Sequence, residues 1–289
     1  MNQYDVLIIG GGINGLATAY HLSRHTKLRV ALLEQFTIGH PFGGSHGATR
    51  ITRSTYINPL YSQLLQRAHR EEWPLLEKEL GTQLIYPNLS CYFGVGKLFE
   101  SYMEGALHSG LDIDLLDISS MRQRFPQFKF NNATKALLDR TGGVIAAQDT
   151  IEGLKKFILN KGVALHENTK VDRLELGQEP IELHTDKGLF RASRLVITAG
   201  SWLPQLLPTF SPLVVPITQT VGYFKLKGSK DSYQLGQFPN WAYIGEGDKP
   251  MFYGLPAFRS EGIKIAHHIT SGQEDPPLDT KILDRKSVV

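Results

Sequence analysis

At 289 residues, with 41% hydrophobic and 20% charged side chains, the chain is long enough for two modest domains and has a globular composition, which excludes wholesale disorder. The formal net charge of +3 is spread along the sequence without a dense basic run, which argues against nucleic-acid or membrane-surface partners and for a small-molecule ligand. The single cysteine, Cys91, permits no intramolecular disulfide and no cysteine-based metal cluster. No segment approaches the ~20 apolar residues of a membrane span, and Asp5 stands where a signal peptide would be basic, so a cytoplasmic protein is expected.

The chain opens with "YDVLIIGGGINGLATAYHL". Val6 to Ile9 reads as a buried parallel strand, and Gly10, Gly12 and Gly15 follow in G-x-G-x-x-G spacing, after which the pattern turns helical. A second strand, "LRVALLE", ends in Glu34, where the ribose-binding acid of a dinucleotide fold belongs. Each part has a physical reason. Gly10 permits the tight turn, Gly12 lets backbone approach a pyrophosphate, Gly15 lets the helix close on the strand, and the helix N-terminus offers amides to phosphate. Glu34 disfavours a 2′-phosphorylated ligand, which leaves FAD and NAD.

Beyond Glu34 lies the irregular "QFTIGHPFGGSHGATR", then an amphipathic segment from about Pro59 to Leu80 with Trp73 expected in the core. "QLIY" and "SCYFGV" read as strands, Cys91 being a buried strand residue, "KLFESYMEGALHSG" as a helix closed by Gly110, "SSMRQRFPQF" as a short helix and "KALLD" as a strand. In "QDTIEGLKKFILNKGV", Asp149 and Glu152 are spaced as a capping box and Gly162 is a stop. Strands follow at "VALHE", "TKVDRLEL", "IELHTDKG" and "RLVITAG", the last ending at Gly200, suited to passing near a nucleotide. From Pro212 on the chain is strand-rich, through "TQTVGYFKLKG", "AYIGE", "MFYGLPA" and "GIKIAHH". This predicts an α/β fold in which a Rossmann-like domain, residues 1–83 and 144–211, alternates with an α+β substrate domain on a mainly antiparallel sheet, residues 84–143 and 212–283.

The stretch "GSHGATRITR" holds His46, Arg50 and Arg53 among glycines. A solvated basic loop is one reading of it. If Ala48 to Arg53 is helical or turn-like, i and i+3 spacing puts both arginines on one face, where they could meet an anion. Lys264 alternates with Ile263 and Ile265, as a strand lysine facing water would, and the adjacent His267 and His268 must point to opposite sheet faces. Neither histidine has a metal-ligand partner at useful spacing, and no metal is expected.

The order of the nucleotide motif, "GSHGATRITR", "TKVDRLEL", "RLVITAGSW", "FYGLP" and "GIKIAHH" resembles the monomeric sarcosine oxidase and N-methyltryptophan oxidase group of D-amino-acid-oxidase-like flavoproteins, as far as about Leu283. The resemblance implies FAD, oxidation of a secondary amine of an amino acid to an imine, and oxygen reduced to hydrogen peroxide by a monomer. Gly10, Gly12, Gly15 and Glu34 then match the ADP-binding residues, and Val171 the strand that reads the adenine. His46, Thr49 and Arg50 match residues around the flavin ring, and Arg53 the arginine that takes the substrate carboxylate. Tyr253, Lys264 and His268 match residues on the other side of the flavin pocket, the lysine in the oxygen-activating position.

The family pattern continues past this chain and there carries the cysteine that bonds FAD covalently, a cysteine that Cys91 does not match. The closing "DRKSVV", Asp284 to Val289, back-translates as GATCGGAAGAGCGTCGTG, which reads as a sequencing adapter, so a non-native tail on a truncated gene is expected. Alternatives to the oxidase are an FAD-dependent amino acid dehydrogenase that feeds a carrier and a truncated, non-catalytic nucleotide-binding fragment.

Overall fold

The computed structural model describes residues 2–130, 133, 135–227, 229–246, 251–260 and 262–268. The segment read as a non-native tail lies outside them. The chain forms two compact units, one of Met1–Gly47 and Ala147–Thr218, the other of Ala48–Ala146 and Gln219–Thr270. The fold is the expected α/β class, but the crossings differ from those read in the sequence. The chain leaves the first unit at Ala48 because Thr49–Thr52 is a strand that pairs with Gly143–Ala146, which also pairs with Ile85–Pro87. This carries the whole helical stretch after Pro59 into the second unit.

In the first unit a six-stranded sheet runs in the order 171–175, 181–185, 188–197, 2–9, 30–33, 164–166. Asn2–Ile9 lies parallel to both neighbours, with Val6 opposite Val30 and Arg194. Its C-terminal half, Val6 to Ile9, is buried on both faces, which explains the unbroken apolar run there. One face packs Leu7, Ile9, Ala31, Leu33, Leu183 and Phe190. The helices Ile13–His25 and Ala147–Asn160 bury Leu16, Ala19 and Tyr20, and Ile151, Leu154 and Ile158. Their Tyr20 and Phe157 rings sit 4.9 Å apart. The second helix starts at Ala147, so Asp149 lies in its first turn and not at the N-cap position. The end of "RLVITAG" is half-buried, not fully buried as its composition suggests.

The second unit is built on a seven-stranded sheet ordered 221–225, 262–268, 251–255, 240–244, 90–94, 135–139, 113–117. All neighbours are antiparallel except Asn240–Ile244 with Ser90–Gly94. Alternation divides its two faces. Cys91, Phe93, Ala136 and Leu138 pack with Met121, Phe125 and Phe130 on one. Tyr92, Leu137, Ala242 and Ile244 pack with Phe99 and Ala106 of the helix Gly96–His108 on the other.

The amphipathic stretch from Pro59 is helical throughout but not regular: Pro59–Arg67 and Trp73–Leu80 are α-helical and Ala68–Glu72 forms a π-turn. Pro74 supplies the reason. It has no amide hydrogen for the carbonyl of Arg70, and its ring clashes with that carbonyl in a regular helix. The chain widens, and the Trp73 amide donates to the carbonyl of Ala68, five residues back. Trp73 is half-buried, not a core residue, and Leu60, Leu64 and Leu75 are exposed.

The tightest point is the glycine loop. A Cβ on Gly15 would stand 1.9 Å from the carbonyl oxygen of Gly10, which is backbone and cannot give way. Gly15→Ala is therefore expected to cost about 1–3 kcal/mol or more of stability, read as a lower denaturant midpoint; an unchanged midpoint would contradict this packing.

Candidate functional site

A cavity of ≈ 430 Å³ opens in the first unit at the carboxyl ends of its parallel strands. Gly10 to Asn14 follow the first strand, Glu34 the second, and Thr198 to Trp202 the strand Gly188–Ile197; Val171 completes one side. The loop is held from behind by Thr198, whose hydroxyl donates to the carbonyls of Ile9 and Gly10 at 2.8 and 2.9 Å. Gly10 has φ +102°, and a Cβ there would meet the Thr198 carbonyl oxygen at 2.4 Å, so only glycine serves.

Of the expected nucleotide residues, Gly10, Gly12, Glu34, Val171 and Gly200 all line this cavity, while Gly15 lies under the loop against Gly10. Glu34 is more constrained than a ribose acceptor alone would be. Its Oε2 accepts from the Gly11 amide at 2.7 Å and its Oε1 from the Phe36 amide at 2.9 Å, so the carboxylate fixes both loops that frame the cavity. His46 is exposed and directly follows the cavity residue Ser45.

Sequence reasoning missed Ser45 and His40. The Ser45 hydroxyl accepts from the amide of Ile13, the first residue of the helix, and so caps it from a distant loop. A cap from more than thirty residues away leaves no local spacing to read. His40 lies 3.5 Å from Glu34 within a ring cluster of Phe36, Phe42 and Trp202. Burial holds its pKa below the usual histidine value against the opposing pull of Glu34. The glycine clearance, the helix N-terminus and the fixed acid together fit the ADP half of a dinucleotide.

The second unit gathers the remaining residues. Read across the seven-stranded sheet, the register sets Lys264, Leu255, Asn240, Ser90 and Asp139 in one row of one face, and Ala266, Tyr253, Ala242, Tyr92 and Leu137 in the next. Lys264 is 6% exposed, so the water-facing reading of its alternation is wrong: it faces inward in a buried polar row with Asn240, Ser90 and Asp139. Its ammonium donates to the carbonyl of Thr49 at 3.0 Å, and Arg50 Nη1 donates to the same oxygen at 2.8 Å. Burial, and then the neighbouring Arg50 charge, lower the Lys264 pKa to about 8. Tyr253 and His268 share the Lys264 face, His268 at its exposed end, whereas His267 points the other way against Phe252.

Thr49 to Thr52 is extended, not helical or turn-like as the arginine spacing suggested. The physical reason is reach. Lys264 contacts Thr49, and Asp139, four strands away, contacts Thr55, a span of about 19 Å at ~4.8 Å per strand. Six residues cover about 20 Å when extended and about 9 Å as a helix.

Arg53 lies at the far end of this segment with its guanidinium carbon 4.7, 5.9 and 5.8 Å from the ring centres of Tyr56, Tyr92 and Tyr102. Burial works against its charge, the oxygens of Tyr92, Tyr102 and Tyr56 work for it, and the net shift is upward. Among the described residues no carboxylate pairs with Arg53 or Lys264. A guanidinium so placed can take an anion through paired N–H donors.

A separate group, Glu175, Glu182 and His184, has ligand atoms within 4.8 Å of one another, but Arg173 and Arg191 pair with its two carboxylates at 2.8 and 2.7 Å. It is an ion-pair network on the sheet of the first unit. Among the described residues no helix is long and apolar enough to cross a membrane.

Comparison with known proteins shows the family. The chain is 34% identical over 275 residues to peroxisomal sarcosine oxidase of Mus musculus, covering 92% of this chain and 68% of the relative. It is 31% identical over 282 residues to monomeric sarcosine oxidase of Arthrobacter sp. (strain TE1826), covering 95% and 71%. Among solved structures, the open form of NikD, an unusual amino acid oxidase essential for nikkomycin biosynthesis, superposes with a TM-score of 0.76 at 23% identity over 99% of this chain and 75% of that one. The family described as FAD dependent oxidoreductase, DAO, matches residues 5–285. FAD, and not NAD, is thus the dinucleotide indicated, and the chain belongs to the DAO family of FAD-dependent oxidoreductases.

Proposed function

We propose that the protein oxidises the secondary amine of a small amino acid, of the sarcosine, N-methyl or cyclic type, to an imine, with oxygen reduced to hydrogen peroxide. The observation that carries this reading is Arg53, a cation ringed by phenols and left without a carboxylate among the described residues. The sarcosine oxidase names of its relatives fit a substrate with an amine beside a carboxylate.

Bound FAD supplies the two-electron acceptor for the hydride that leaves the carbon next to nitrogen. Arg53 orients the substrate by taking its carboxylate through two parallel N–H donors, which an ammonium could not do. Lys264 and Arg50 provide fixed positive charge, and Lys264 favours the negative charge that oxygen acquires as it is reduced. Tyr253 and His268, on the Lys264 face, serve as pocket walls. Cys91 takes no part in holding the cofactor: it is wholly buried in apolar core, and that burial pushes its thiol pKa well up. A monomer is expected from the name of the Arthrobacter relative, and the mouse relative's name sets the peroxisome beside the cytoplasm as a compartment to test.

Under nitrogen, sarcosine or another N-methyl or cyclic amino acid should bleach the flavin colour, and air should restore it with release of peroxide. A flavin that no such amino acid bleaches would refute the reading, and one reoxidised by dyes but not by air would make the protein a dehydrogenase. Arg53→Met removes a charge-assisted contact worth about 2–3 kcal/mol, so kcat/KM should fall about 30- to 150-fold; an unchanged value would remove Arg53 from the site.

Lys264 adds a pH dependence whose sign is fixed. Its ammonium is present below about pH 8 and lost above it, so the rate of reoxidation by oxygen should fall as pH rises through that value, and Lys264→Met should abolish the inflection. Because its folded pKa lies below the ordinary 10.5, the unfolded chain binds more protons between about 8 and 10.5, and this lysine's cost to stability is relieved over that window. Lys264→Met should therefore raise Tm at pH 7 and lose that advantage by pH 10; a lower Tm at pH 7 would contradict it.

A further inference from the structure

The segment that carries Arg53 is held on both sides by polar groups, half-buried His69 and buried Asp139, that none of the chemistry above uses. On the N-terminal side, Thr52 Oγ1 shares a 2.5 Å hydrogen bond with His69 Nε2. On the C-terminal side, Asp139 Oδ2 accepts from the Ser54 amide at 3.3 Å and from the Thr55 hydroxyl at 2.8 Å. Its other oxygen accepts from the Thr141 amide at 2.7 Å.

Asp139 is an expensive choice for a loop clamp. It is 0% exposed, and the Ser54 amide, Thr55 hydroxyl and Thr141 amide that donate to it are all neutral, with no lysine or arginine pairing among the described residues. An apolar residue or an asparagine would cost less to bury. A carboxylate offers two oxygens that accept several hydrogen bonds and donate none, so it can fix two consecutive residues, Ser54 and Thr55, together with its own turn. His69 is equally unexpected, because it reaches Thr52 from the π-turn that Pro74 imposes on the helix. Arg53 is the residue between these anchors, and Tyr56, the ring nearest its guanidinium, follows directly after them.

We propose that His69 and Asp139 form a bracket around Thr52–Thr55 and are positioning residues for Arg53, setting the height and angle at which its guanidinium meets the substrate carboxylate. This rests on the reading of Arg53 as the carboxylate receptor. The bracket acts through the backbone, and the tyrosines hold the side chain, so the donors of Arg53 stay aimed with little freedom to lose on binding.

The test uses the FAD-loaded protein and methoxyacetate, a sarcosine isostere with an ether oxygen in place of the amine, which cannot be oxidised to an imine. Its Kd is read by calorimetry, beside FAD content and Tm. Asp139→Asn and His69→Gln should each weaken methoxyacetate about tenfold with FAD content unchanged, and should raise KM for the amino acid substrate far more than they lower kcat. In an Arg53→Met background neither change should weaken binding further, a non-additivity that loss of stability alone would not produce. If Asp139→Asn does not fold, Thr55→Val breaks the same link without touching the carboxylate, and Thr55→Ser should restore it. Unchanged Kd in the bracket variants, or equal losses with and without Arg53, would overturn the bracket. Undiminished methoxyacetate binding by Arg53→Met alone would instead overturn the receptor reading on which it stands.

Discussion

Positive charge drawn at least partly out of water and set against neutral oxygen is the constraint around which the second unit is organised. Lys264 is answered by a peptide carbonyl and Arg53 by phenols, and among the described residues neither meets a carboxylate. Removing a cation from water is costly unless something replaces the lost hydration. Much of the surrounding structure supplies that replacement: an extended segment that turns the Thr49 carbonyl toward two cations, and three tyrosines from separate elements that converge on one guanidinium. On the proposed reading, a site arranged this way keeps its charges for an anion instead of spending them on internal ion pairs.

The first unit solves a different problem by steric means. Gly10 and Gly15 press the loop so closely onto Thr198 and onto itself that no side chain fits, and Glu34 ties the amides of Gly11 and Phe36 into the frame. The result is a ridge of backbone donors with one acid beside it, suited to phosphate and ribose. Little of it depends on side-chain choice beyond glycine and the acid.

These two solutions differ in how readable they are from the sequence. The strand, glycine loop, helix and terminal acid occupy one continuous stretch, so spacing alone reveals the nucleotide unit. Lys264 is the opposite case. Its alternation with Ile263 and Ile265 is that of a strand with one wet face, and only the register, which sets it in a row with Asn240, Ser90 and Asp139, shows that the polar face is the buried one. The extended form of Thr49–Thr52 was hidden for a related reason, since its partner Gly143–Ala146 lies far along the chain. Asp139 and His69 carry no motif, and their importance comes from what they touch. Family resemblance pointed to Lys264 where pattern did not, but it was silent on the two residues that hold the arginine's segment.

The wide turn at Ala68–Glu72 has a bearing on how this part of the molecule tolerates change. A regular helix advances about 100° per residue, so the additional residue in the turn puts the halves Pro59–Arg67 and Trp73–Leu80 out of phase, and His69 meets Thr52 from within that turn. Pro74 lies in the helix, away in sequence from the arginine and its tyrosines, yet it is the reason the helix is wound this way. A replacement at Pro74 that let the coil tighten would swing the imidazole off its hydroxyl and free one side of the strand end. Substrate recognition would then drift through a residue that no survey of the binding pocket would include.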